Sequence, residues 1–473
     1  MYNMKNNEKV FFYIIAIQIF SLFNLFSIDI YINDNSLKTF DGSDYLYNVY
    51  PPIFDIWEIS LTLNNESKIK KNINIEAYSK IRVDNHNVKI NEIIFDNVKT
   101  INIKAELIKN NKLEVWIGWE GTDLLKKIIS DWGKNNNIDI NVINATNVDS
   151  RLKAVYKSNT QPADLVLVAD SDIMDLYNEN IIQSLPKDLF TEVNPMLLKN
   201  ITYKQYYAIP FYYDVQLLFY NPKLIKLDQY TKLTLQNLEN EANKIINKVD
   251  IPLSWNSYSL YWLLPIIYSY NSNNIDFSNN LSINNLPTLN AITYLKQLNE
   301  KPYFKPLEKN AMLSYFINGK TAAILSSTYS IPYFDKLKIN YEIAPLPIND
   351  ITNEPLKPLI DSKVFVIPKG SYNTILSYRL IQYLESYKVQ KLFCESLYKL
   401  SSNKFVEQEL INTNSYYQKV LSNMNNFETI PNNENYQSYK NILWKLLRFV
   451  YTNQLTPEQV IIKGEQLLIN NNK

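Results

Sequence analysis

The sequence predicts an α/β protein with a two-lobed body and hinged crossings between the lobes, preceded by a small antiparallel β domain. Three observations predict this fold class. From residue 112 onward, strands that are apolar on both faces alternate with helices. The run 204–223 contains a long apolar strand with an acid in its middle. Residues 28–110 instead alternate polar and apolar side chains with a period near two.

Composition limits the classes of function. The 473 residues are enough for two or three domains, and the formal net charge of +1 creates no field that would favour nucleic acid or an anionic membrane. A single cysteine, Cys394, and a single histidine, His86, exclude a disulfide within the chain and disfavour a Cys/His metal site. We expect Cys394, in the run KLFCESL, to be a core residue of a helix.

The N-terminus has the pattern of an export signal. Lys5 and Lys9 precede an almost unbroken apolar run at 10–26, and Ser27 follows it. A basic start, an apolar run and a small residue at its exit are typical of a secretory signal peptide, and the run is also nearly long enough for a retained anchor. No cysteine follows the run, which excludes lipid attachment there. Residues 1–27 are therefore predicted to be a signal peptide or an N-terminal anchor.

The next segment, 28–110, is predicted to be the small antiparallel β domain. Runs such as WEISLTL and VKINEIIF alternate polar and apolar residues, and Asn- and Asp-rich breaks such as 84–87 separate them. This spacing favours short strands, as in a sandwich. Aromatic residues cluster near Pro51 and Pro52. They are interpreted as the core of a small domain, with a glycan-stacking face as the alternative.

The body of the chain alternates strands and helices. A strand at 113–117 ends in the loop 118–121, a helix begins at Thr122, and a fully apolar strand lies at 165–169. Such strands, joined by helices, indicate a parallel sheet that is covered on both sides. Ligands of these sheets bind beyond the carboxyl ends of the strands. The residues at those ends are Trp119, Glu120, Asp170 and Asp172.

The chemistry at these strand ends favours a neutral polyol. Neither loop is a phosphate cradle, because the chain contains neither G-x-G-x-x-G nor G-x-x-x-x-G-K. No cofactor is therefore predicted. Carboxylates accept charge-assisted hydrogen bonds from hydroxyls, and aromatic rings cover the apolar faces of sugars.

The run 204–223 carries the feature that suggests two packed units. Asp214 lies in mid-run, between the aromatic residues 211–213 and the apolar strand 215–220. An unpaired buried carboxylate is costly, so a long β-rich run normally carries no acid. We interpret the run as a strand that leaves one packed unit for another, with Asp214 facing the gap between them. The alternative is an edge strand with one solvated acid.

Together with Asp214, these elements resemble the maltose-binding-protein-like, family 1 extracellular solute-binding proteins of ABC importers. KLEVWIGWEG is similar to their first strand and loop, and PADLVLVADSD to a later strand and loop. YAIPFYYDVQLLFYNPKL resembles their first crossing between lobes, and KPLIDSKVFVIPKGS their second. FINGKTAAILSSTYS, YEIAPLP and IPNNENYQSY match further segments in the same order. The resemblance covers about three quarters of the chain, from residue 112 to its end.

The resemblance implies a periplasmic-binding-protein-like (type II) body whose lobes close on a ligand. The first lobe is expected to comprise 111–213 and 361–410, and the second 214–360 and 411–473. The implied function is not enzymatic: the protein captures a sugar or oligosaccharide and delivers it to the membrane permease subunits of an ABC transporter. Such a protein is exported, and is periplasmic or held at the outer face of the cytoplasmic membrane.

The strand ends and the resemblance together predict a set of ligand-binding residues. The acids would accept hydrogen bonds from ligand hydroxyls, and the aromatic side chains would stack on the ligand. The set is Trp119, Glu120, Asp170, Asp172, Asp214, Trp255, Tyr258, Tyr329, Asp361 and Tyr436.

Three other functions remain open from the sequence. A polyamine or other small cationic solute could bind on the same fold, because the same acids can bind ammonium groups. An exported carbohydrate-active enzyme would need two carboxylates that flank the scissile bond. A surface adhesin would keep the shape of the body without transport.

Overall fold

The computed structural model describes residues 112–471, except 159, 271–276, 278–281, 372 and 423. N-terminal to residue 112 it describes only backbone strand segments, which lie between Tyr13 and Leu107. The predicted leader 1–27 and the predicted β domain 28–110 therefore lie largely outside the described residues, and both stay predictions. In the part of the chain that is described, no helix has both the length and the apolar character needed to cross a membrane.

Strands and helices alternate from residue 112 to the C-terminus. The elements up to residue 270 are β1 (Lys112–Ile117), α1 (Thr122–Asn135), β2 (Asp139–Asn144), α2 (Val148–Lys157), β3 (Leu165–Ala169), α3 (Ile173–Asn178), β4 (Thr202–Tyr203), β5 (Gln205–Tyr206), β6 (Ile209–Tyr220), α4 (Leu235–Asn243), β7 (Ile251–Ser254) and α5 (Leu260–Tyr270). The later elements are α6 (Leu286–Asn299), α7 (Lys309–Ile317), β8 (Thr321–Ser327), α8 (Ile331–Lys336), β9 (Glu342–Ala344), β10 (Leu359–Val366), α9 (Thr374–Leu384), α10 (Tyr387–Leu397), β11 (Leu400–Ser401), α11 (Lys404–Thr413), α12 (Ser415–Leu421), β12 (Glu428–Thr429), α13 (Glu434–Tyr451) and α14 (Pro457–Asn471). Short 3₁₀ turns cover Asp170–Asp172, Lys187–Phe190, Pro195–Ile201, Thr328–Ser330 and Met424–Asn426.

One long sheet runs through the described body. Its strands lie in the order β2-β1-β3-β10-β6-β8-β7, with β9 and β11 paired to β6 and β12 paired to β10. The strands β2, β1 and β3 are parallel, as are β8 and β7. Strands β10 and β6 lie between these two parallel groups, antiparallel to each other and to their outer neighbours β3 and β8. The sheet therefore contains two parallel units that are joined by two antiparallel strands.

The buried apolar side chains form two separate cores. The smaller core contains the side chains of β1 and β3, and the larger core contains those of α5, α6 and α13. All twelve residues of β6 are buried, but Phe211 and Tyr212 belong to the smaller core, whereas Val215 and 217–220 belong to the larger one. In β10 the order is reversed, because Leu359 and Ile360 pack in the larger core and 364–366 in the smaller. Both strands therefore pass from one core to the other.

The local sequence explains the strand and the helix that build the smaller core. All five side chains of β3, LVLVA, are buried, as a central strand covered on both faces requires. Helix α1 buries Leu125, Ile128, Ile129 and Trp132, whose spacing puts them on one face. At its N-terminus, Gly121 has a φ of 80°, a left-handed conformation that glycine adopts without steric cost. This glycine ends the loop that holds Trp119 and Glu120.

The return of the chain after β10 packs against both cores. Phe393 lies in the smaller core, whereas Cys394, Leu400, Val406 and Leu410 lie in the larger one. Cys394 is fully buried in α10, as predicted. The lobe boundaries predicted from the sequence remain predictions.

We predict that Gly121→Ala destabilises the protein more than Gly319→Ala does. Both glycines have positive φ values, of 80° and 69°, so both alanines carry a left-handed cost of about 1–2 kcal/mol. A Cβ at residue 121 would also lie 2.4 Å from Leu397 Cδ1 and 3.2 Å from Phe393 Cζ, while a Cβ at residue 319 meets nothing within 4 Å. Overpacking should add about 1–2 kcal/mol at residue 121 only.

The measurement is urea unfolding of both variants and the wild type, with the free energy of unfolding extrapolated to water. Equal losses in the two variants would show that the contact with Leu397 and Phe393 has no energetic weight.

Candidate ligand-binding site

Two acids face each other where the chain passes between the cores. Asp214 of β6 and Asp361 of β10 are paired residues in the antiparallel register. Paired residues on neighbouring strands project to the same face of the sheet, and like charges directly opposite each other are destabilising. Each of these acids therefore needs its own source of positive charge.

Asp214 is satisfied by a buried lysine and a threonine. Lys399 Nζ lies 2.7 Å from Asp214 Oδ2, and the side chains are 0% and 2% exposed, respectively. Thr328 Oγ1 donates to the other carboxylate oxygen at 2.5 Å. Burial raises the pKa of Asp214, and the positive charge of Lys399 opposes that rise. Lys399 Nζ also lies 3.6 Å from Glu120 Oε2, so one ammonium connects the crossing strand to the loop after β1.

Asp361 has a separate lysine from its own strand. Lys363 forms an ion pair with Asp361 and is only 2% exposed. Burial alone would lower the pKa of Lys363, but the carboxylate of Asp361 outweighs burial and raises it. The same ammonium lies 4.1 Å from the centre of the Trp119 ring, within the range of a cation–π contact.

Trp119 is both strained and exposed. Its φ is 73°, which is rare for a bulky side chain, and 48% of its surface is exposed. Residues in such conformations persist where the surrounding structure holds them, and they are frequent at binding sites. The loop 118–121 thus presents one aromatic ring to solvent beside the paired acids.

The end of β3 contributes two more acids. Asp170 Oδ2 accepts a hydrogen bond from Asn200 Nδ2 at 2.9 Å, and Asn432 Nδ2 donates to the Asp170 carbonyl at 2.8 Å. Asp170 Oδ1 is buried and has no hydrogen-bond partner among the described residues. Burial raises the pKa of Asp170 to about 7, with Asp361 adding to the rise, and burial raises that of Asp172 to about 6. Near neutral pH the Asp170 carboxyl can therefore donate or accept a hydrogen bond.

Two tyrosines, one in the turn after β8 and one in α13, lie near these carboxylates. Burial raises the pKa of Tyr329 to about 12, and the nearby carboxylates of Glu120 and Asp214 contribute. Lys309 Nζ lies 3.9 Å from the centre of the Tyr329 ring. Tyr436 is 3% exposed, and its pKa is raised by burial and then by Asp361 and Asp170. Both phenols therefore remain protonated and can donate hydrogen bonds in this region.

The structure does not bring two of the predicted residues to these acids. Trp255 is completely buried in the larger core, where its ring meets Phe304 edge-on at 4.8 Å between ring centres. Tyr258 meets the ring of Tyr451 and lies under the guanidinium of Arg448. The other eight residues of the predicted set lie together around Asp214, Asp361 and the end of β3.

Sequence reasoning missed other groups at this site. The hydroxyl of Tyr212 is buried without a hydrogen-bond partner in the described part of the chain, and its ring centre lies 5.0 Å from Lys399 Nζ. Tyr261 of α5 is a further phenol in this region: burial, followed by the neighbouring Asp361, Tyr329 and Asp214, raises its pKa well above the ordinary value. Tyr212 could have been found, since it lies two residues before Asp214 and so shares its face of the strand.

The arrangement offers hydrogen-bond acceptors, hydrogen-bond donors and an aromatic ring. The donors are tyrosine hydroxyls and lysine ammoniums, and the acceptors are carboxylates whose charge is partly compensated. Among the described residues, no group of three or more His, Cys, Asp or Glu side chains could hold a metal ion. The groups are suited to bind a molecule with several hydroxyls and one apolar face.

Comparison with known proteins identifies a matching family. The sequence model described as bacterial extracellular solute-binding protein matches residues 118–391. These residues include both crossing strands, the loop with Glu120 and the end of β3.

Curated relatives match a shorter stretch. A maltodextrin-binding protein of Bacillus subtilis (strain 168) is 25% identical over 190 residues, which is 37% of this chain and 45% of the relative. A maltooligosaccharide ABC transporter solute-binding lipoprotein of Streptococcus pneumoniae is 25% identical over 210 residues, which is 42% of this chain and 49% of the relative. The chain thus spans about half the length of the curated relatives it matches.

Solved structures match most of the body. A cyclo/maltodextrin-binding protein in complex with maltotetraose has a TM-score of 0.66 at 17% identity and covers 77% of this chain and 98% of its own. A maltose/maltodextrin-binding domain from Bdellovibrio bacteriovorus, bound to maltotriose, has a TM-score of 0.68 at 16% identity, with coverages of 76% and 99%. This likeness confirms the predicted two-lobed α/β fold of the body.

We predict that Asp170→Asn flattens the pH dependence of stability. In the folded state the pKa of Asp170 is raised from 3.8 to about 7, so the folded state keeps the carboxyl proton to a higher pH than the unfolded state does. The resulting stabilisation is complete below pH 3.8, the ordinary pKa, and is lost as the pH rises to about 7, the folded pKa. Each pH unit in that interval is worth at most about 1.4 kcal/mol for one group.

The free energy of unfolding should be measured in urea at several pH values between 5 and 8. Some slope should remain in the variant, because burial also raises the pKa of Asp172 and Glu407. Asp139→Asn, at an exposed strand position, serves as the control and should keep the wild-type slope. A variant slope equal to that of the wild type would contradict the prediction.

Proposed function

The chain belongs to the bacterial extracellular solute-binding proteins, and on that premise we propose that it captures a sugar or oligosaccharide between two lobes for an ABC importer. The family match over residues 118–391 confirms the resemblance seen in the sequence. Two relatives, a maltodextrin-binding protein and a maltooligosaccharide ABC transporter solute-binding lipoprotein, support the solute class. In this proposal the protein is exported and hands its ligand to membrane permease subunits at the outer face of the cytoplasmic membrane.

One observation carries the proposal for a neutral ligand. The opposed acids of the crossing strands, Asp214 and Asp361, are each paired with a buried lysine beside the exposed ring of Trp119. Carboxylates that already have a cation still have lone pairs for hydroxyl groups, whereas they have little remaining charge for an ammonium. Such a surface favours a polyol over a cationic solute such as a polyamine.

The position of the crossing strands suggests how binding leads to capture. Strands β6 and β10 join two cores, so a rotation near Asp214 and Asp361 would bring the two units together. A ligand drives this closure only if it binds the closed form more tightly than the open form. Micromolar capture corresponds to about −8 kcal/mol, which a few stacking contacts and charge-assisted hydrogen bonds can supply.

The direct test is a titration of the purified protein with maltooligosaccharides and, separately, with spermidine. Tryptophan fluorescence is a suitable signal, because Trp119 is exposed beside the acids. We expect a saturable change with a maltooligosaccharide and no comparable change with spermidine. Tight binding of spermidine would favour the cationic alternative, and release of reducing sugar would favour an enzyme.

We predict that Trp119→Ala weakens sugar binding about tenfold, because a stacking contact contributes roughly 0.5–1.5 kcal/mol in addition to the stabilisation from the area that it buries. Trp444→Ala is a matched control. Trp444 is 47% exposed, and its ring centre lies 4.8 Å from the Arg448 guanidinium. Trp119 is similar, with 48% exposure and 4.1 Å between its ring centre and the Lys363 ammonium. Trp444 is on α13, however, and has no contact with the paired acids among the described residues.

Isothermal titration calorimetry should be used for both variants, because it does not depend on tryptophan fluorescence. Similar losses of affinity in the two variants, or no loss in Trp119→Ala, would exclude a specific role of the Trp119 ring.

A further inference from the structure

Lys399 has the surroundings that proteins provide for a bound ammonium group. Its Nζ lies 2.7 Å from Asp214 Oδ2, 3.6 Å from Glu120 Oε2 and 5.0 Å from the centre of the Tyr212 ring. Two carboxylates and one aromatic face form a set of contacts that recognises an alkylammonium ion. Here that ion is part of the chain.

The position of Lys399 is not explained by the packing of an apolar core. Its side chain is 0% exposed, and a buried ammonium loses its hydration when the protein folds. It follows Tyr398, which has a φ of 52° in the left-handed region that a bulky residue seldom adopts. The backbone thus takes an unfavourable conformation at Tyr398, next to Lys399, whose ammonium lies between Asp214 and Glu120.

The same arrangement occurs at the second crossing strand. Lys363 is 2% exposed, pairs with Asp361 and lies 4.1 Å from the ring centre of Trp119. Each crossing strand therefore contains an acid, and each acid forms an ion pair with a buried ammonium that also faces an aromatic ring.

We propose that Lys399 is a specificity-determining residue, whose ammonium fills the cation site formed by Asp214, Glu120 and Tyr212 and thereby excludes cationic solutes from the candidate ligand-binding site. The inference rests on the proposed function only for the identity of the accepted ligand, a neutral polyol. The exclusion itself rests on the geometry of the ammonium. Lys399 also holds Asp214 and Glu120 in place as acceptors for ligand hydroxyls.

The hydroxyl of Tyr212 supports a neutral occupant beside this ion pair. It is buried without a hydrogen-bond partner among the described residues. Burial and the neighbouring carboxylates raise the pKa of Tyr212 well above its ordinary value, so the hydroxyl keeps its proton. A ligand hydroxyl can accept this hydrogen bond, whereas an ammonium group cannot accept one.

The test removes the internal cation and offers an external one. Lys399→Ala deletes the atoms from Cγ to Nζ, and n-propylammonium has the same three carbons and nitrogen. We expect n-propylammonium chloride to raise the midpoint of thermal unfolding of this variant more than sodium chloride does at equal ionic strength. In the wild type, the two salts should change the midpoint of thermal unfolding equally. Spermidine should bind the variant at least about tenfold more tightly than wild type, a difference of about 1.4 kcal/mol.

Lys244→Ala is the matched control. Lys244 also pairs with a buried acid, since its Nζ lies 2.5 Å from Glu241 Oε1, but the lysine side chain is 64% exposed and the acid 6% exposed. Its removal leaves no enclosed site for an ammonium. This variant should respond equally to n-propylammonium chloride and sodium chloride.

Further variants keep the test decisive. If Lys399→Ala does not fold, Lys399→Gln, which is neutral but retains a hydrogen-bond donor, takes its place and should gain spermidine binding by the same factor. The double variant Lys399→Ala with Asp214→Asn should lose the ammonium response, and Lys399→Arg should exclude spermidine as wild type does. Tight spermidine binding by wild type, or no gain in any folded variant that lacks the cation, would overturn the inference.

The outcome separates this inference from the proposed function. A wild type that binds no maltooligosaccharide, together with a variant that gains ammonium binding, would reject the proposed sugar ligand and retain the exclusion by Lys399. Sugar binding by wild type without any ammonium gain in the variants would retain the function and reject the exclusion.

Discussion

The opposition of Asp214 and Asp361 is the constraint on which the rest of the site depends. The two residues are paired on antiparallel strands, and the face on which they meet lies where those strands pass from one core to the other. Two carboxylates in this position repel each other, and neither could be buried in an apolar core without a counter-ion. The region between the cores therefore has to be polar, and the apolar residues separate into two groups on either side of it.

The two lysines that compensate these acids come from different parts of the chain. Lys363 lies two residues from Asp361 on the same strand, so its pairing is local. Lys399 is 185 residues from Asp214 and reaches it only because the segment before β11 packs beside β6. The first ion pair moves with its strand, whereas the second joins the crossing strand, the loop that holds Glu120 and the return of the chain. Any rotation of the two units has to keep or replace this second set of contacts.

Much of the fold could be predicted from the sequence, because it depends on local patterns. The apolar run of β3, the amphipathic face of α1 and the acid within β6 all appear as short-range signals, and each led to the correct element. The site was predictable only in part. Residues at strand ends, such as Glu120 and Asp170, follow from the topology of a parallel sheet. Lys399 has no local signal, because only the packing of distant segments places it at Asp214. Trp255 shows the opposite problem, since an aromatic residue between a strand and a helix can face the core or the candidate binding site with the same sequence around it.

The buried ion pair of Lys399 and Asp214 is better explained by binding than by stability. The loss of hydration of two buried charges offsets most of their attraction, and an apolar pair of similar volume often stabilises a protein as well or better. An apolar pair, however, would present no acceptors to a ligand, and Asp214 alone would leave an uncompensated charge opposite Asp361. A lysine in this place meets both requirements, because it compensates the acid and leaves lone pairs on Asp214 and Glu120 for further hydrogen bonds. The ion pair thus has the properties of a polar binding surface built into the junction between two apolar cores.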